Sequence, residues 1–396
     1  MKKTFFKLML IFITTLLLLN ALSLKSFAEG QSEFDGTQKS IDNYINGQLD
    51  KVNIDEIQNY LNEDEVLNKV ELKTFIKDLF KGDKNILDLF SKDGIKMLLF
   101  DEFKASLKVV SVILVLALLS AVLKSLDNSF ASGAVSQIAT YIIFITMVSL
   151  TLVGFKDVLE ICYNSIDRTI SLMQILMPIL ISFLLLIGFP ITSTTLNPIF
   201  LGGVTFINVV FKKFLFTSMI VAFGVLIINN LSKNLKLKKM FSFIKQFNLV
   251  SIGAMFTVYL GLVSLQGLYV TSFDKFSMKT AKFAVGNFIP VVGGFVSDSI
   301  DIILSSSQLI KNIFGGIGLV ILIGICLVPI IKIISVIFVY KAVAIAVEPI
   351  GEESISGFLN EVANLMIIML ASVIAISVMF FVTIAILTSI SVVGRG

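Results

Sequence analysis

The chain has 396 residues, 56% of them hydrophobic and only 15% charged, whereas an ordinary soluble domain carries roughly 25% charge, so the composition reads as a polytopic membrane protein. Histidine is absent, which removes Ser-His-Asp and Cys-His catalysis, the HExxH zinc site and any imidazole proton relay. Two cysteines, Cys162 and Cys326, are too few for a disulfide framework or a thiolate metal site and read as packing residues, and the net charge of +4 is unevenly spread along the chain.

Residues 1–28 combine Lys2, Lys3 and Lys7 with an apolar run and a Ser26-x-Ala28 ending, the pattern of a cleaved secretory signal peptide. The same run reaches the roughly 20 residues of an uncleaved membrane anchor. Under either reading the following segment lies outside the cytoplasm. Residues 29–104 hold 17 carboxylates against 10 lysines, a net of −7, and form an acidic extracytoplasmic domain. Apolar positions there recur at helical spacing, as in Ile41, Ile45 and Leu49 and again in Leu72, Phe75, Ile76 and Leu79. Three or four short amphipathic helices are expected, packed on each other or docking a partner. An acidic surface does not suit nucleic acid.

The remaining chain, 105–396, reads as a multi-span membrane domain. LKVVSVILVLALLSAVL, GAVSQIATYIIFITMVSLTLVGF and TISLMQILMPILISFLLLIG are successive candidate crossings. The next, TLNPIFLGGVTFINVVF, stops at Lys212 and Lys213, and FLFTSMIVAFGVLIINN follows as a separate one. Residues 231–246 then form a basic loop with Lys233, Lys236, Lys238, Lys239 and Lys245 and no acid, which the positive-inside rule places in the cytoplasm. LVSIGAMFTVYLGLVSLQGLYV and three further apolar stretches complete an all-α architecture of seven to ten spans, some broken or re-entrant. Helix breaks are expected at Pro178, Pro190, Pro290, Gly293, Gly294 and Pro329.

One apolar stretch carries an unusual polar pattern. In a helix over 295–312, Asp298, Asp301, Ser305, Gln308 and Asn312 fall within an arc of about 80°. An ionised carboxylate in lipid costs about 2.5–3.5 kcal/mol on insertion scales, so this face needs water, a cation or a partner. The stripe fits an interfacial helix or a packed polar seam, and equally the lining of an aqueous path. Lys332, beyond Pro329, fits a turn between spans or a charge partner for an aspartate of the stripe.

The stretch GNFIPVVGGFVSDSIDIILSSSQLIKN (286–312), the Pro-containing span ending in Ile330-Ile331-Lys332, and AVEPIG resemble the stage III sporulation protein AE family of endospore-forming bacteria. The resemblance is best over 281–351 and extends to the order of parts. It implies a subunit of the trans-envelope complex of the mother-cell membrane facing the forespore. In that complex the implied partners are other mother-cell membrane proteins, a cytoplasmic ATPase subunit and a forespore protein across the intermembrane space. Residues 29–104 would then lie in that space. The family has no catalytic motif, so it implies assembly in a channel or export-like apparatus, with no enzyme activity, cofactor or metal.

The alternative function is an autonomous permease using the broken segment 285–312. No GxxxxGK phosphate loop occurs, so ATP drive would come from another subunit. A paired-aspartate protease would bring carboxylates together from two helices, whereas Asp298 and Asp301 neighbour each other on one.

Overall fold

The computed structural model describes residues 134–231, 236–288, 293–350 and 353–391, together with scattered positions between 58 and 122. The expected signal peptide, the acidic domain apart from a few isolated positions, most of the run 107–123, Lys233 and Pro290 lie outside the described residues.

The described chain is helical throughout, without strands. In order it forms α1 (Ala134–Leu186), α2 (Pro190–Asn208), a π-helical segment (Val209–Phe216), α3 (Thr217–Leu231), α4 (Lys238–Phe288), α5 (Gly293–Val347), a short 3₁₀ turn (Glu348–Ile350) and α6 (Glu353–Ser389). Because α2, the π segment and α3 run on without a break, five apolar helices of 36 to 46 residues result: Tyr141–Leu186, Pro190–Leu231, Lys238–Thr280, Leu304–Val347 and Ser354–Ser389. At 1.5 Å per residue they are about 54–69 Å long, roughly twice the 30 Å hydrocarbon core.

These long helices correct the expected subdivision of this region. Lys212 and Lys213 do not end a span; they lie inside the π segment. There the Lys212 ammonium pairs with Asp167 of α1, and its carbonyl accepts a hydrogen bond of 2.8 Å from the Tyr163 hydroxyl. The Tyr163 hydroxyl and Asp167 of α1 thus hold the π segment from the side. Pro178 and Pro329 likewise lie within continuous helices, α1 and α5. Packed neighbours tolerate proline inside membrane helices in this way.

Pro190 does begin a helix, at the first position of α2. The preceding turn forms a Schellman motif: Phe189 N–H donates to Leu184 O and Gly188 N–H to Leu185 O. Gly188 has φ +85°, a conformation that a side chain opposes.

The bundle is ordered by burial. In α6, 67% of the most apolar window is buried, whereas in α4 the figure is 17%, so α6 is central and α4 peripheral. α6 packs chiefly on α5, and then about equally on α1 and α4. Close approach there needs glycine: a Cβ at Gly318 of α5 would sit 2.2 Å from a Leu176 methyl of α1, and one at Gly315 would sit 1.7 Å from the Thr388 methyl of α6. Lipid tails are as apolar as leucine, so such helices associate through tight packing and polar ties instead of the hydrophobic effect.

The chain alternates direction, which gives the bundle two ends. The α1–α2 turn, the start of α5 and the end of α6 share one end, called here the hairpin end. The α3–α4 connection and the α5–α6 turn share the other, the lysine-loop end.

Candidate functional site

α5 carries the polar stripe. Asp298 and Asp301 lie in its first turns, and Gly293 and Gly294 are its first residues. The side chains of these four residues are outside the described set. Ser305, Gln308 and Asn312 are half-buried on one flank, while Leu304, Ser307, Ile310 and Lys311 are buried. Asn312 Oδ1 is enclosed without a hydrogen-bond partner among the described residues. The described part of the stripe therefore follows the rim of the packed face: Ser305 and Gln308 keep partial exposure, while the Asn312 amide oxygen is closed off.

The suspected pairing of Lys332 with an aspartate of the stripe does not survive the geometry. Both lie on the one continuous helix α5, and Lys332 is about 45 Å of helical rise beyond Asp301. Lys332 does not sit in a turn either; it is half-buried in mid-helix.

The buried charge of this region is Lys311, which the sequence reading passed over. It is fully buried, and its ammonium donates to the carbonyls of Leu387, at 3.1 Å, and Ile390, at the end of α6. The last carbonyls of a helix have no donor of their own, and the helix dipole makes that end attractive to a cation. Lys311 thus satisfies a helix end that would otherwise face apolar surroundings. The available signal was a lone lysine in the run SQLIKNIF with no acid near it in sequence.

Asp274 is the opposite case at the same end of the bundle. It is 1% exposed on α4 and accepts from Ile191 N at 3.1 Å, Thr192 N at 2.7 Å and the Thr192 hydroxyl at 2.6 Å. Phe189, at the cap position of α2, makes no side-chain cap of its own. The carboxylate therefore caps α2 from a different helix, with an acid at the positive end of the dipole. A cation holds one helix end and an anion another, each with its bonds satisfied.

The lysine-loop end holds a second polar group. Lys245 of α4 pairs with Glu361 of α6 at 2.8 Å and lies over the Phe241 ring, 5.2 Å from its centroid. Asn364 donates to the same Glu361 oxygen at 3.2 Å. Lys341 of α5 donates to Asn360 Oδ1 at 2.5 Å and Asn364 Oδ1 at 2.7 Å. A cavity of about 300 Å³ opens beside them, lined by Ala344, Ile345, Glu348, Ser356, Gly357 and Asn360. Of the other basic-loop residues, Lys236 precedes α4 while Lys238 and Lys239 begin it. Lysines at a helix N-terminus oppose the dipole, so their presence is better explained by sidedness than by helix stability.

Both cysteines are buried and unpaired. Cys326 Sγ accepts from the Ser377 hydroxyl at 2.9 Å and lies 3.6 Å from that of Thr169, joining α5 to α6 and α1. Among the described residues no group of three metal-ligating side chains comes together. The best-defined polar interactions are thus ties between helices, and the half-buried flank of α5 and the cavity at the lysine-loop end are surfaces open to a neighbour.

Comparison with known proteins gives one family. A profile described as Stage III sporulation protein AE matches residues 70–391. A relative named Stage III sporulation protein AE, from Bacillus subtilis (strain 168), is 27% identical over 320 residues, covering 80% of this chain and 79% of the relative. No solved structure matches.

Proposed function

Because the chain belongs to the stage III sporulation protein AE family, we propose that it is a non-enzymatic membrane subunit of a channel or export-like complex linking mother cell and forespore during sporulation. The observation that carries this reading is a bundle of five long apolar helices whose helix ends and mid-helix charges are tied across the bundle by Lys311, Asp274, Lys245–Glu361 and Lys212–Asp167. Such ties suit a rigid wall or platform in an assembly. The helices exceed one hydrocarbon thickness, which favours neighbouring subunits covering the excess apolar surface.

On this reading the lysine-loop end faces the mother-cell cytoplasm, where an ATPase subunit would supply energy. Residues 29–104 face the intermembrane space and the forespore partner. Each join of two expected spans removes one crossing, and two joins precede the lysine loop, so the sidedness inferred from that loop is unchanged.

Deleting the gene tests the function. Forespore development should stop after engulfment and recover when the gene is restored, whereas normal spore yield in the deletion strain would contradict the proposal. Reconstituted vesicles discriminate the permease: the pure protein should show no solute uptake sensitive to an Asp298→Asn, Asp301→Asn double variant.

A further inference from the structure

α1 contains a second polar stripe, more continuous than that of α5. From Thr146 onward, polar residues recur every three or four positions along one face. Thr146 and Ser149 begin it, Lys156, Glu160, Asn164 and Asp167 form the middle, and Ser171, Gln174 and Ser182 continue it, with only Val153 and Pro178 interrupting. These positions share an arc of about 80° and extend over about 54 Å of helix. All the polar ones are exposed except Ser171, which is half-buried.

The peripheral helix α4 shows what a lipid-facing surface of this bundle looks like. Its uncovered side from Val250 to Leu265 carries Val250, Val258, Leu262 and Leu265, the back-bonded Thr257 and no charge. One bundle thus has an apolar outer face on α4 and a polar one on α1.

The hydroxyls at the ends of the α1 stripe do not by themselves require water. Those of Thr146, Ser149 and Ser182 donate to the carbonyls of Ile142, Ile145 and Pro178, at 2.9, 2.9 and 2.7 Å, and lipid tolerates such back-bonded groups. The middle differs. Lys156, Asp157 and Glu160 are exposed, and among the described residues no hydrogen bond or ion pair engages them. Asp167 remains 55% exposed even with Lys212 beside it, and Lys213 is exposed on the π segment next to it. These groups sit at mid-length, about 22 Å of helix from Tyr141 and about 28 Å from Leu186, so wherever the hydrocarbon core covers apolar helix on both sides of them, they need water or a partner within it.

We propose that this face of α1, from Thr146 to Ser182, lines a water-filled passage in the assembled complex. The inference rests on the reading of the chain as a channel subunit and adds to it which wall meets the water. Both signs occur along about 17 Å of the wall, with Lys156, Asp157, Glu160 and Asp167 on α1 and Lys212 and Lys213 of the π segment beside Asp167. A passage lined by both signs does not select cargo by the sign of its charge, so it suits hydrated solutes of either sign better than one kind of ion.

Thiol accessibility tests the proposal. With Cys162 and Cys326 replaced by alanine, single cysteines are placed at Glu160, Asn164 and Gln174 on α1 and at Val258, Leu262 and Leu265 on α4. Sealed vesicles from sporulating cells, holding the intact complex, are treated with a charged, membrane-impermeant methanethiosulfonate. Only variants that still support spore formation are scored. The α1 positions should react at least about tenfold faster than the α4 positions, because the reactive thiolate needs water. Equal, slow labelling of both sets overturns the passage. Labelling of α1 only after detergent treatment also overturns it, in favour of a dry seam with another protein. Either negative result in spore-forming variants leaves the subunit assignment standing, whereas failure of that assignment shows in the deletion strain.

Discussion

Replacing Lys311 by methionine isolates the role given to the buried ammonium. The side chains have similar length, so the cavity term is small, but the carbonyls of Leu387 and Ile390 lose their donor. Each stripped buried acceptor costs about 1–3 kcal/mol. Burying an apolar group instead of an ammonium returns part of that, since desolvating an ion is itself costly. The expected net loss is about 2–4 kcal/mol. It is read as a lower midpoint in thermal unfolding of the detergent-solubilised protein, followed with a thiol-reactive fluorophore. Cys162 and Cys326 are buried and become reactive only as the helices separate. Lys311→Arg, which keeps the donors but must repack, should lose less. A Lys311→Met protein as stable as its parent would refute the assignment of Lys311 as the cap of α6.

Three further outcomes are expected in the same assay. Asp274→Ala removes three accepted hydrogen bonds at the start of α2 and should cost about 3 kcal/mol, with Asp274→Asn losing less because one acceptor remains. Gly318→Val forces a methyl-bearing carbon into the Leu176 side chain and should cost about 1–3 kcal/mol, while the same change at Gly253, whose Cβ would meet nothing within 4 Å, should have a far smaller effect. A double-mutant cycle between Lys245→Met and Glu361→Gln should give a coupling of about 1 kcal/mol that weakens with added salt, since the pair is only partly covered.

The sequence carried the class of fold plainly, because long apolar runs with few charges have no other stable arrangement in water or lipid. It also marked a helix break at Pro190, although it began the next crossing at Thr195, and it read 295–312 as helix. Helix continuity was hidden. Lys212-Lys213 looks like a boundary on hydropathy, and only the partner residues Asp167 and Tyr163 on another helix reveal why the chain continues through it. Pro178 and Pro329 misled for the same reason, since proline's local penalty is set against tertiary packing that no local pattern displays. Lys311 and Asp274 were visible as isolated charges, but their roles depend on helix ends 76 to 83 residues away. The polar period of α1 was present in the letters from Thr146 to Ser182. It was obscured because hydropathy divides that helix into two apolar blocks, whereas its meaning emerges only when both blocks form a single helix with one face uncovered.

Affinity isolation of the native protein from sporulating cells tests the central claim most directly. With the membranes solubilised mildly, the chain should come away with other membrane proteins of the sporulation complex and its ATPase subunit, in fixed ratio across repeat preparations. Recovery of the chain by itself, from cells in which the other members are present and intact, would contradict the account.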